Sequence, residues 1–540
     1  MPEKEVWFKS KTITPEKMRL ARLALADVRT GVPAIDAIKR YPTETGYIGK
    51  YALVAAYNEM VEKGEMQSDG ELLARIRMKP VRTLSGVTTV TVLTKPYPCP
   101  GKCIFCPDDV RMPKSYLPDE PGAMRGLQHK FDPYDQVASR LDALQAVGHP
   151  TDKIELLILG GTWSSYRRDY QEWFIKRCFD ALNGVEAVYK SEKIGAGELV
   201  EAHHINERVE HRNVGLVIET RPDEVTPDEL AWLRYLGVTK VQMGAQSLDD
   251  EVLALNKRGH TVQELRDAMA LLRAGGFKTV LHWMPNLLGA TLESDRADFP
   301  RLWDGIAPDE IKVYPTQLLA ETELFTHWER GEYRPYTTEE LISLIADVKT
   351  TIPRYCRANR VIRDIPSTNV VEGNKRTSLR QDVHIEMKKR GTKCECLRCR
   401  EVRGKKIDIA KLQLDDLVYA AEFAEEHFIS FVTPDDKVAG FLRLSLPNTN
   451  SPQTGIADLD GAAIIREVHV YGQSLEVGAE KSGSAQHAGL GTRLLEEAEQ
   501  IALKQGFARM AVIAAVGTRE YYLGRGFERG ELYLVKQIGM

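Results

Sequence analysis

Three cysteines, Cys99, Cys103 and Cys106, lie within the short segment "PYPCPGKCIFCPDD". A closed structural zinc site needs four ligands, and no further Cys or His occurs in this loop. The Cys-x3-Cys-x2-Cys spacing instead suits a [4Fe–4S] cluster held by three thiolates, whose fourth iron stays open. An open iron can bind the amino and carboxylate groups of S-adenosylmethionine, so the loop predicts radical chemistry that starts from this cofactor.

Residues that follow neighbouring strands could complete this cofactor site. The cysteine loop follows the apolar run "VTTVTVLT", and Gly160 and Gly161 in "LILGGTW" follow the next strand. This arrangement resembles the radical S-adenosylmethionine superfamily, in which such a glycine pair binds the methionine amino group. Later strand ends offer further candidate cofactor contacts, which are equally well interpreted as ordinary rim residues: Glu219, Arg221 and Gln242.

A second cysteine group, Cys394, Cys396 and Cys399, lies in the basic segment "TKCECLRCREVRGKK". Another redox cluster is one interpretation, but thiolates in a basic connecting segment favour structural zinc. The fourth ligand would be His384 or Cys356, and the sequence does not choose between them. The remaining cysteine, Cys178, lies in a helical pattern and is expected to be a small core residue.

The segment "QHAGLGTRLLEEAE" places glycines directly before an amphipathic helical pattern. Glycines let a ligand approach the backbone, and the N–H groups at a helix start favour a pyrophosphate. With the strand "IIREVHVYG" before it and "GTREYYLGRGF" after it, the turn resembles that of GNAT acetyltransferases, which holds acetyl-CoA. That resemblance implies a thioester contact from Tyr522 or its neighbour Tyr521. It also implies the following contacts in the turn: Gln486, Gly489, Leu490, Gly491 and Thr492.

These groups must be positioned by several domains, because 540 residues exceed a single hydrophobic core. The first part is helical by its apolar spacing, and strands then alternate with helices as in a parallel sheet. The predicted fold class is α/β. It comprises a helical basic N-terminal region (1–78), a radical S-adenosylmethionine partial (β/α) barrel (79–330), a Cys- and Arg-rich linker with a zinc-type site (331–405) and a GNAT acetyltransferase domain (406–540).

Charge is distributed unevenly along the chain. Residues 1–95 carry 16 Lys and Arg against 11 Asp and Glu, and residues 351–411 carry 17 against 7. Two basic blocks on an acidic body favour a nucleic-acid partner, because each neutralised phosphate releases counterions. The alternative is that these charges are only solvated helix faces. The candidate RNA contacts are Lys17, Arg19, Arg398, Arg400 and Arg403.

The radical and GNAT domains together, with "KPVRTLSGV", "LGGTW", "REVHVYG" and "QHAGLGT", resemble the Elongator protein 3 family. The resemblance implies that tRNA is the substrate and that the wobble uridine becomes 5-carboxymethyluridine. It further implies that Lys153 contacts acetyl-CoA. The short spacing of the first two loop cysteines implies a prokaryotic form that works without the Elongator partner subunits. The resemblance also implies that a strand segment binds the pantetheine arm of acetyl-CoA, and in this sequence that segment is Glu467, Val468, His469 and Val470.

The sequence hypothesis is therefore a tRNA uridine acetyltransferase that uses a [4Fe–4S] cluster, S-adenosylmethionine, acetyl-CoA and zinc. One alternative is a protein lysine acetyltransferase with a structural radical domain, and another is a non-catalytic tRNA-binding scaffold. An electron donor is the further expected partner, and a homodimer is left open. Because there is no apolar run of about eighteen residues and no signal-peptide core at the N-terminus, we expect a cytoplasmic protein without a membrane partner.

Overall fold

The computed structural model describes residues 12–44, 46–403, 407–472 and 489–539. The chain begins with a helical region, as the apolar spacing predicts. The Thr14 hydroxyl accepts the Lys17 backbone N–H, and Pro15 takes the first helical position. None of the helices in these residues combines the length and apolar character that a membrane span requires. The region contains α1 (Pro15–Arg29), α2 (Ala34–Lys39), a small hairpin of β1 (Pro42–Thr43) and β2 (Gly46–Tyr47), α3 (Lys50–Glu62) and α4 (Gly70–Ile76).

The second region is a partial barrel of seven parallel strands that lie in chain order. Along one strand, Ile154, Leu156 and Ile158 are buried, whereas Glu155 and Leu157 line a cavity inside the barrel. This alternation follows from the period of two in a strand. The predicted partial barrel is confirmed. Its strands are β3 (Thr88–Leu93), β4 (Lys153–Leu159), β5 (Arg212–Thr220), β6 (Lys240–Gln246), β7 (Lys278–Trp283), β8 (Glu310–Val313) and β9 (Arg357–Arg360).

Helices connect the strands of the barrel, and the first of them also lines the cavity inside it. The longest, with Phe174, Cys178 and Phe179 fully buried, packs on the strands, so the expectation that Cys178 is a core residue is confirmed. The helices are α5 (Pro121–Gln128), α6 (Pro133–Gln145), α7 (Arg168–Asn183), α8 (Glu198–Asn206), α9 (Pro227–Tyr235), α10 (Asp250–Leu255), α11 (Val262–Ala274), α12 (Leu292–Asp298) and α13 (Glu323–Glu329).

The segment after residue 330 is more regular than its composition indicates. Strand β9 pairs with β8 in parallel, so the barrel sheet extends into the segment that the sequence analysis assigned to the linker. An apolar pattern that we did not recognise, with Leu341, Leu344 and Ile345 buried, forms a helix against the barrel. The helices of this segment are α14 (Thr338–Val348), α15 (Leu379–Lys389) and α16 (Leu397–Arg400).

The C-terminal domain is a seven-stranded mixed sheet with the GNAT arrangement, as predicted. Strand β13 pairs with β14 in parallel over Ala462–Ile465 only, because β14 ends there at Val512 while β13 continues to Val470. The long helix α17 (Leu490–Lys504) follows the glycine turn. The other elements are β10 (Gln413–Ala421), β11 (Ala424–Val432), β12 (Val438–Pro447), β13 (Ala462–Val470), β14 (Arg509–Val512), α18 (Arg519–Leu523), β15 (Glu528–Arg529) and β16 (Leu534–Gln537).

The C-terminal domain packs against the amino-terminal ends of the barrel strands. The fully buried Arg466 guanidinium of β13 donates to both Asp309 carboxylate oxygens, at 2.6 and 2.9 Å, and to the Phe277 carbonyl at 3.0 Å. Asp309 precedes β8 and Phe277 precedes β7. The Tyr533 hydroxyl donates to the Gly275 carbonyl at 2.6 Å. The GNAT domain therefore closes the end of the barrel opposite to the cysteine loop, which follows the carboxyl end of β3.

Candidate active site

The cysteine loop is held by backbone bonds to neighbouring loops. The Ile104 N–H donates to the Asn256 carbonyl at 3.3 Å, and the Ile104 carbonyl accepts the Leu324 N–H at 2.9 Å. The Asn256 side chain, fully buried, donates to the Leu288 carbonyl and accepts the Leu288 N–H. Sequence reasoning missed Asn256, because nothing in its local pattern distinguishes it from a surface asparagine. These bonds fix the position of Cys103.

The three loop thiols fit thiolate ligation. A hydrogen bond from Cys106, followed by the charges of Arg258 and Arg221, lowers the pKa of Cys103 to about 5. The Cys99 Sγ lies 3.4 Å from the Thr162 hydroxyl and accepts the Gly101 N–H at 3.4 Å. Two arginines beside three thiols are typical of a site that carries negative charge. The donor set therefore suits the predicted [4Fe–4S] cluster.

The predicted glycine pair lies beside the loop in backbone conformations that favour glycine. Gly160 has φ of +148° and Gly161 has φ of +87°. A Cβ on Gly160 would stand 1.7 Å from the Thr94 hydroxyl oxygen, so only glycine fits there. Gly161 lines the cavity together with the three cysteines, whereas Gly160 packs on Thr94 and is not part of the cavity wall.

The three predicted strand-end residues all line the same cavity and are already engaged by other side chains. The Glu219 carboxylate accepts the Tyr116 hydroxyl at 2.9 Å and lies 3.6 Å from the Lys312 ammonium. The Gln242 side-chain oxygen accepts from Lys312 and lies 3.2 Å from the His282 Nε2. Sequence reasoning missed Tyr116, Lys312 and His282, although the last two alternate with apolar residues on their strands, which is the signal for a lumen-facing position.

Arg221 bridges the cysteine loop and the loop after α10. Its guanidinium forms an ion pair with Asp223 at 2.9 Å, and its Nη1 has no hydrogen-bond partner. A Cβ on Gly101 would stand 2.5 Å from that Nη1, and a Cβ on Gly259 would stand 3.1 Å from Nη2. Glycine at both positions lets the guanidinium approach the loop that carries the cysteines.

One cavity of about 990 Å³ joins the cysteine loop to the C-terminal domain. It passes through the barrel, where alternating charges from strands β4, β6, β8, β7 and β13 form a ladder of ion pairs. Each contact in the ladder lies between 2.5 and 3.5 Å. Each charge of the ladder is paired with at least one of opposite sign, which keeps the passage polar at a lower cost than unpaired charges would incur. The ladder consists of Glu155, Lys240, Glu310, Lys278 and Glu467.

The predicted pantetheine strand supplies the far end of this cavity. Glu467, Val468 and His469 line it, and Glu467 accepts from Lys278 at 2.5 Å and from Arg443 at 2.9 Å. Burial lowers the pKa of His469 to about 4, so its ring is neutral at pH 7. Val470, the last residue of β13, is not part of the cavity wall.

Of the two candidate tyrosines near the glycine turn, Tyr522 faces the cavity and Tyr521 does not. Tyr522 is 7% exposed and lines the cavity. Tyr521 instead packs on the turn, because a Cβ on Gly491 would stand 2.6 Å from its hydroxyl oxygen. Gly489 has φ of +67° and precedes the helix directly. Gln486 lies outside the described residues.

Three further predicted contacts of this site have other surroundings. Lys153 begins β4 and is half-buried, so burial lowers its pKa, and it is not part of the cavity wall. The Leu490 side chain is fully buried in the core, which leaves only its backbone for a ligand. The Thr492 hydroxyl accepts from Arg525 at 3.1 Å.

The second cysteine group is gathered as the metal prediction requires. Among the residues that the structure describes, Cys394, Cys396 and Cys399 form the one group of three or more Cys, His, Asp or Glu side chains whose ligand atoms all lie within 4.8 Å of one another. Three close thiols supply three of the four ligands of a structural zinc site. His384 is exposed and Cys356 fully buried, and neither belongs to this group. The fourth ligand stays open.

The predicted RNA contacts differ in their exposure and in the groups that they already contact. Arg398 and Arg403 line the cavity. Arg400 is 4% exposed and donates to the Asp436 carboxylate at 2.6 and 3.1 Å. In this structure the Arg400 guanidinium is buried and paired, so the predicted phosphate contact would require that ion pair to open. On α1, Arg19 is exposed and the Lys17 ammonium donates to the Thr12 carbonyl at 3.0 Å.

Comparisons with known proteins agree with this geometry. Family models match residues 97–298 as the Radical SAM superfamily and residues 308–389 as the Radical_SAM C-terminal domain. A Methanocaldococcus jannaschii protein described as "tRNA uridine(34) acetyltransferase" is 41% identical over 498 residues, which cover 89% of this chain and 90% of that protein. The human "Elongator complex protein 3" is 34% identical over 86% of this chain and 87% of its own length.

A solved structure extends the agreement to the fold. The archaeal Methanocaldococcus infernus Elp3 with an N-terminal deletion superposes with a TM-score of 0.72 at 37% identity, covering 84% of this chain and 99% of that chain. The predicted family is confirmed by these relatives. With its cysteine loop, parallel barrel and GNAT sheet, the chain belongs to the Elongator protein 3 family.

Proposed function

We propose that this protein converts the wobble uridine, U34, of tRNA to 5-carboxymethyluridine and that acetyl-CoA supplies the two-carbon group. Modification of uridine 34 follows from the names of the relatives, which are described as tRNA uridine(34) acetyltransferases. The single observation that supports the finer chemistry is the continuous cavity, which has the cysteine loop at one end and Tyr522 at the other. Such a cavity suits a reaction that uses both ends.

Different residues would act at the two ends of the cavity. Cys99, Cys103 and Cys106 would hold the cluster, which would supply the electron for cleavage of S-adenosylmethionine to methionine and a carbon radical. Gly161 and Gln242, on the cavity wall, are placed to hold that cofactor. A barrel that encloses the reacting atoms would limit the access of water, so that a radical meets only its intended partner.

The other end of the cavity would bind acetyl-CoA. Beyond Ile465, strand β13 no longer pairs with β14, and a pantetheine arm could bond to the strand in the gap. The turn at Gly489 begins a helix of 15 residues, whose N-terminal N–H groups favour a pyrophosphate. Tyr522 faces the cavity beside this strand and is placed to contact the thioester.

Zinc and tRNA complete the proposed set of ligands. Zinc on Cys394, Cys396 and Cys399 would anchor the segment that carries Arg398 and Arg403 along the cavity wall. These two cations would bind phosphates of the anticodon region. An external electron donor is required, and the free-standing relatives support function without Elongator partner subunits.

A protein lysine acetyltransferase would need a general base at the acyl end of the cavity. Glu467 lines this end, and it is held between Lys278 and Arg443. These cations lower the pKa of Glu467 against the effect of burial, which makes it a weak base. The site therefore favours the radical reaction.

The test is anaerobic reconstitution with iron and sulfide, followed by mass spectrometry of tRNA nucleosides with acetyl-CoA labelled in its methyl carbon. We expect labelled 5-carboxymethyluridine from the native chain and none from Cys103→Ala. The matched control is Cys178→Ala, which removes a fully buried thiol that is not part of the cavity wall. Unlabelled or absent product from the fully reconstituted native protein with its tRNA would refute the proposal.

A further inference from the structure

Arg258 is a buried cation with an unusual set of neighbours. It follows α10, is 7% exposed, and its Nη2 donates to the Gly244 carbonyl at 2.9 Å. Its Nη1 points to the Cys103 Sγ at 3.5 Å, and its Nε has no partner. Within the described parts of the chain, Arg258 forms no ion pair with a carboxylate. Burying such a guanidinium is costly unless a negative group lies beside it.

The surrounding groups do not provide that negative charge. Arg221 is a second cation, and its own charge is balanced by Asp223 at 2.9 Å. His260 is buried, both of its ring nitrogens lack partners, and burial lowers its pKa to about 3, so the ring is neutral. The Cys103 Sγ lies 3.5 Å from the Arg258 Nη1, and Cys103 is one of the three predicted cluster ligands, so a cluster bound there would supply the missing negative charge.

We propose that Arg258 is a positioning residue that raises the reduction potential of the iron–sulfur cluster by donating to the Cys103 sulfur. One-electron reduction makes the cluster and its thiolates more negative, while the guanidinium stays protonated throughout. A fixed positive charge in a poorly solvated site stabilises the reduced form more than the oxidised form. Hydrogen bonds to ligand sulfurs and the local charge are recognised determinants of cluster potentials.

The geometry indicates that the side chain also holds the loop. Gly244 lies in β6, so the bond from Arg258 to its carbonyl fixes the guanidinium to the barrel sheet. A Cβ on Gly244 would stand 2.9 Å from this same nitrogen, Nη2, and glycine leaves room for it. The same guanidinium thus links Cys103 to a strand of the barrel, which keeps the donor aimed at the sulfur.

The experiment is a dithionite titration of the reconstituted full-length protein, followed by electron paramagnetic resonance, without tRNA or S-adenosylmethionine. Iron and sulfide are measured in every sample. In Arg258→Gln we expect the ratio of reduced to oxidised cluster at a fixed potential to fall about tenfold or more. A tenfold change corresponds to a downward shift of about 59 mV for one electron. Arg258→Lys, which keeps the charge but not the fork of donors, should shift in the same direction by about threefold.

The matched control is Lys102→Gln, which removes the same charge from an exposed side chain next to Cys103 in the sequence. Solvent screens that charge, so its removal should change the ratio less than twofold. A ratio within twofold of the native value in Arg258→Gln overturns the proposal. So does an equal shift in Lys102→Gln, because net charge alone would then explain the effect. Failure of Arg258→Gln to assemble the cluster, combined with a native potential in Arg258→Lys, also overturns it and leaves a purely structural role.

This inference depends on the cluster but not on the nucleoside product. Failure of the native protein to form a cluster would refute the proposed function itself. A native cluster whose potential ignores Arg258 would refute only the inference.

Discussion

A methyl group added at Gly160 tests how closely the glycine pair is packed against the cysteine loop. In Gly160→Ala the new Cβ would meet the Thr94 hydroxyl oxygen at 1.7 Å and the Thr94 Cβ at 2.9 Å. Thr94 cannot easily yield, because it is 1% exposed and its hydroxyl lies 2.8 Å from the Tyr166 hydroxyl. The substitution also forces a residue with a Cβ into φ of +148°.

The expected cost has two parts. Backbone strain at such a φ costs about 1–3 kcal/mol, and overpacking of a closed site costs about 1–3 kcal/mol. Gly161→Ala separates the two, because its φ is +87° but its nearest contact is an ordinary 3.5 Å to the Lys114 carbonyl. It should incur the strain alone. Gly160→Ala should therefore lower the free energy of unfolding by about 1–3 kcal/mol more than Gly161→Ala does.

The assay is the free energy of unfolding of each variant, measured by urea denaturation, with the iron content of the reconstituted protein measured alongside. Gly184→Ala is the remote control, since it has φ of +68°, nothing within 4 Å of the new Cβ, and ends a helix outside the barrel. We expect Gly184→Ala and Gly161→Ala, which incur backbone strain alone, to lose similar amounts of free energy, and Gly160→Ala to lose more. Equal losses for the Gly160 and Gly161 variants would refute the steric argument.

Three further outcomes follow from the structure. Tyr522→Phe should weaken acetyl-CoA binding about three- to tenfold, the value of one hydrogen bond, whereas Tyr521→Phe should leave the affinity unchanged. Isothermal calorimetry measures both affinities, and an equal loss of affinity in the two variants would contradict this assignment. Arg398→Gln should lower the salt slope of tRNA binding by about 0.7, and Arg400→Gln should leave it unchanged in folded protein; equal slopes for both would contradict the burial argument. Burial raises the pKa of Asp295 from 3.8 to about 7. Between these values the folded state retains a proton that the unfolded chain releases, so the free energy of unfolding falls as the pH rises from about 4 to about 7. Urea unfolding of Asp295→Asn should show a smaller loss over that range, and an unchanged pH dependence would exclude this carboxyl as the cause.

Local patterns in the sequence were sufficient for the main elements and the chemistry. The spacing of Cys99, Cys103 and Cys106 identifies a three-thiolate loop, because those ligands lie within eight residues of one another along the chain. Helix starts such as Thr14 before Pro15, and the alternation of strands with helices, are encoded in the same way by neighbouring residues. The glycine pair at Gly160 and Gly161 was also recognisable, since its backbone requirement acts on those residues themselves.

The tertiary structure alone decided the contacts between distant parts of the chain. The Arg258–Cys103 contact spans 155 positions, and neither residue's neighbours in sequence indicate it. Tyr522 rather than Tyr521 faces the cavity because the glycine turn packs against the latter. Arg400 resembled a phosphate contact by composition, but the fold buries it beside Asp436. Periodicity and spacing in the sequence predict which residues belong to the same helix or strand. The packing of the GNAT domain on the barrel determines which helices and strands line one cavity.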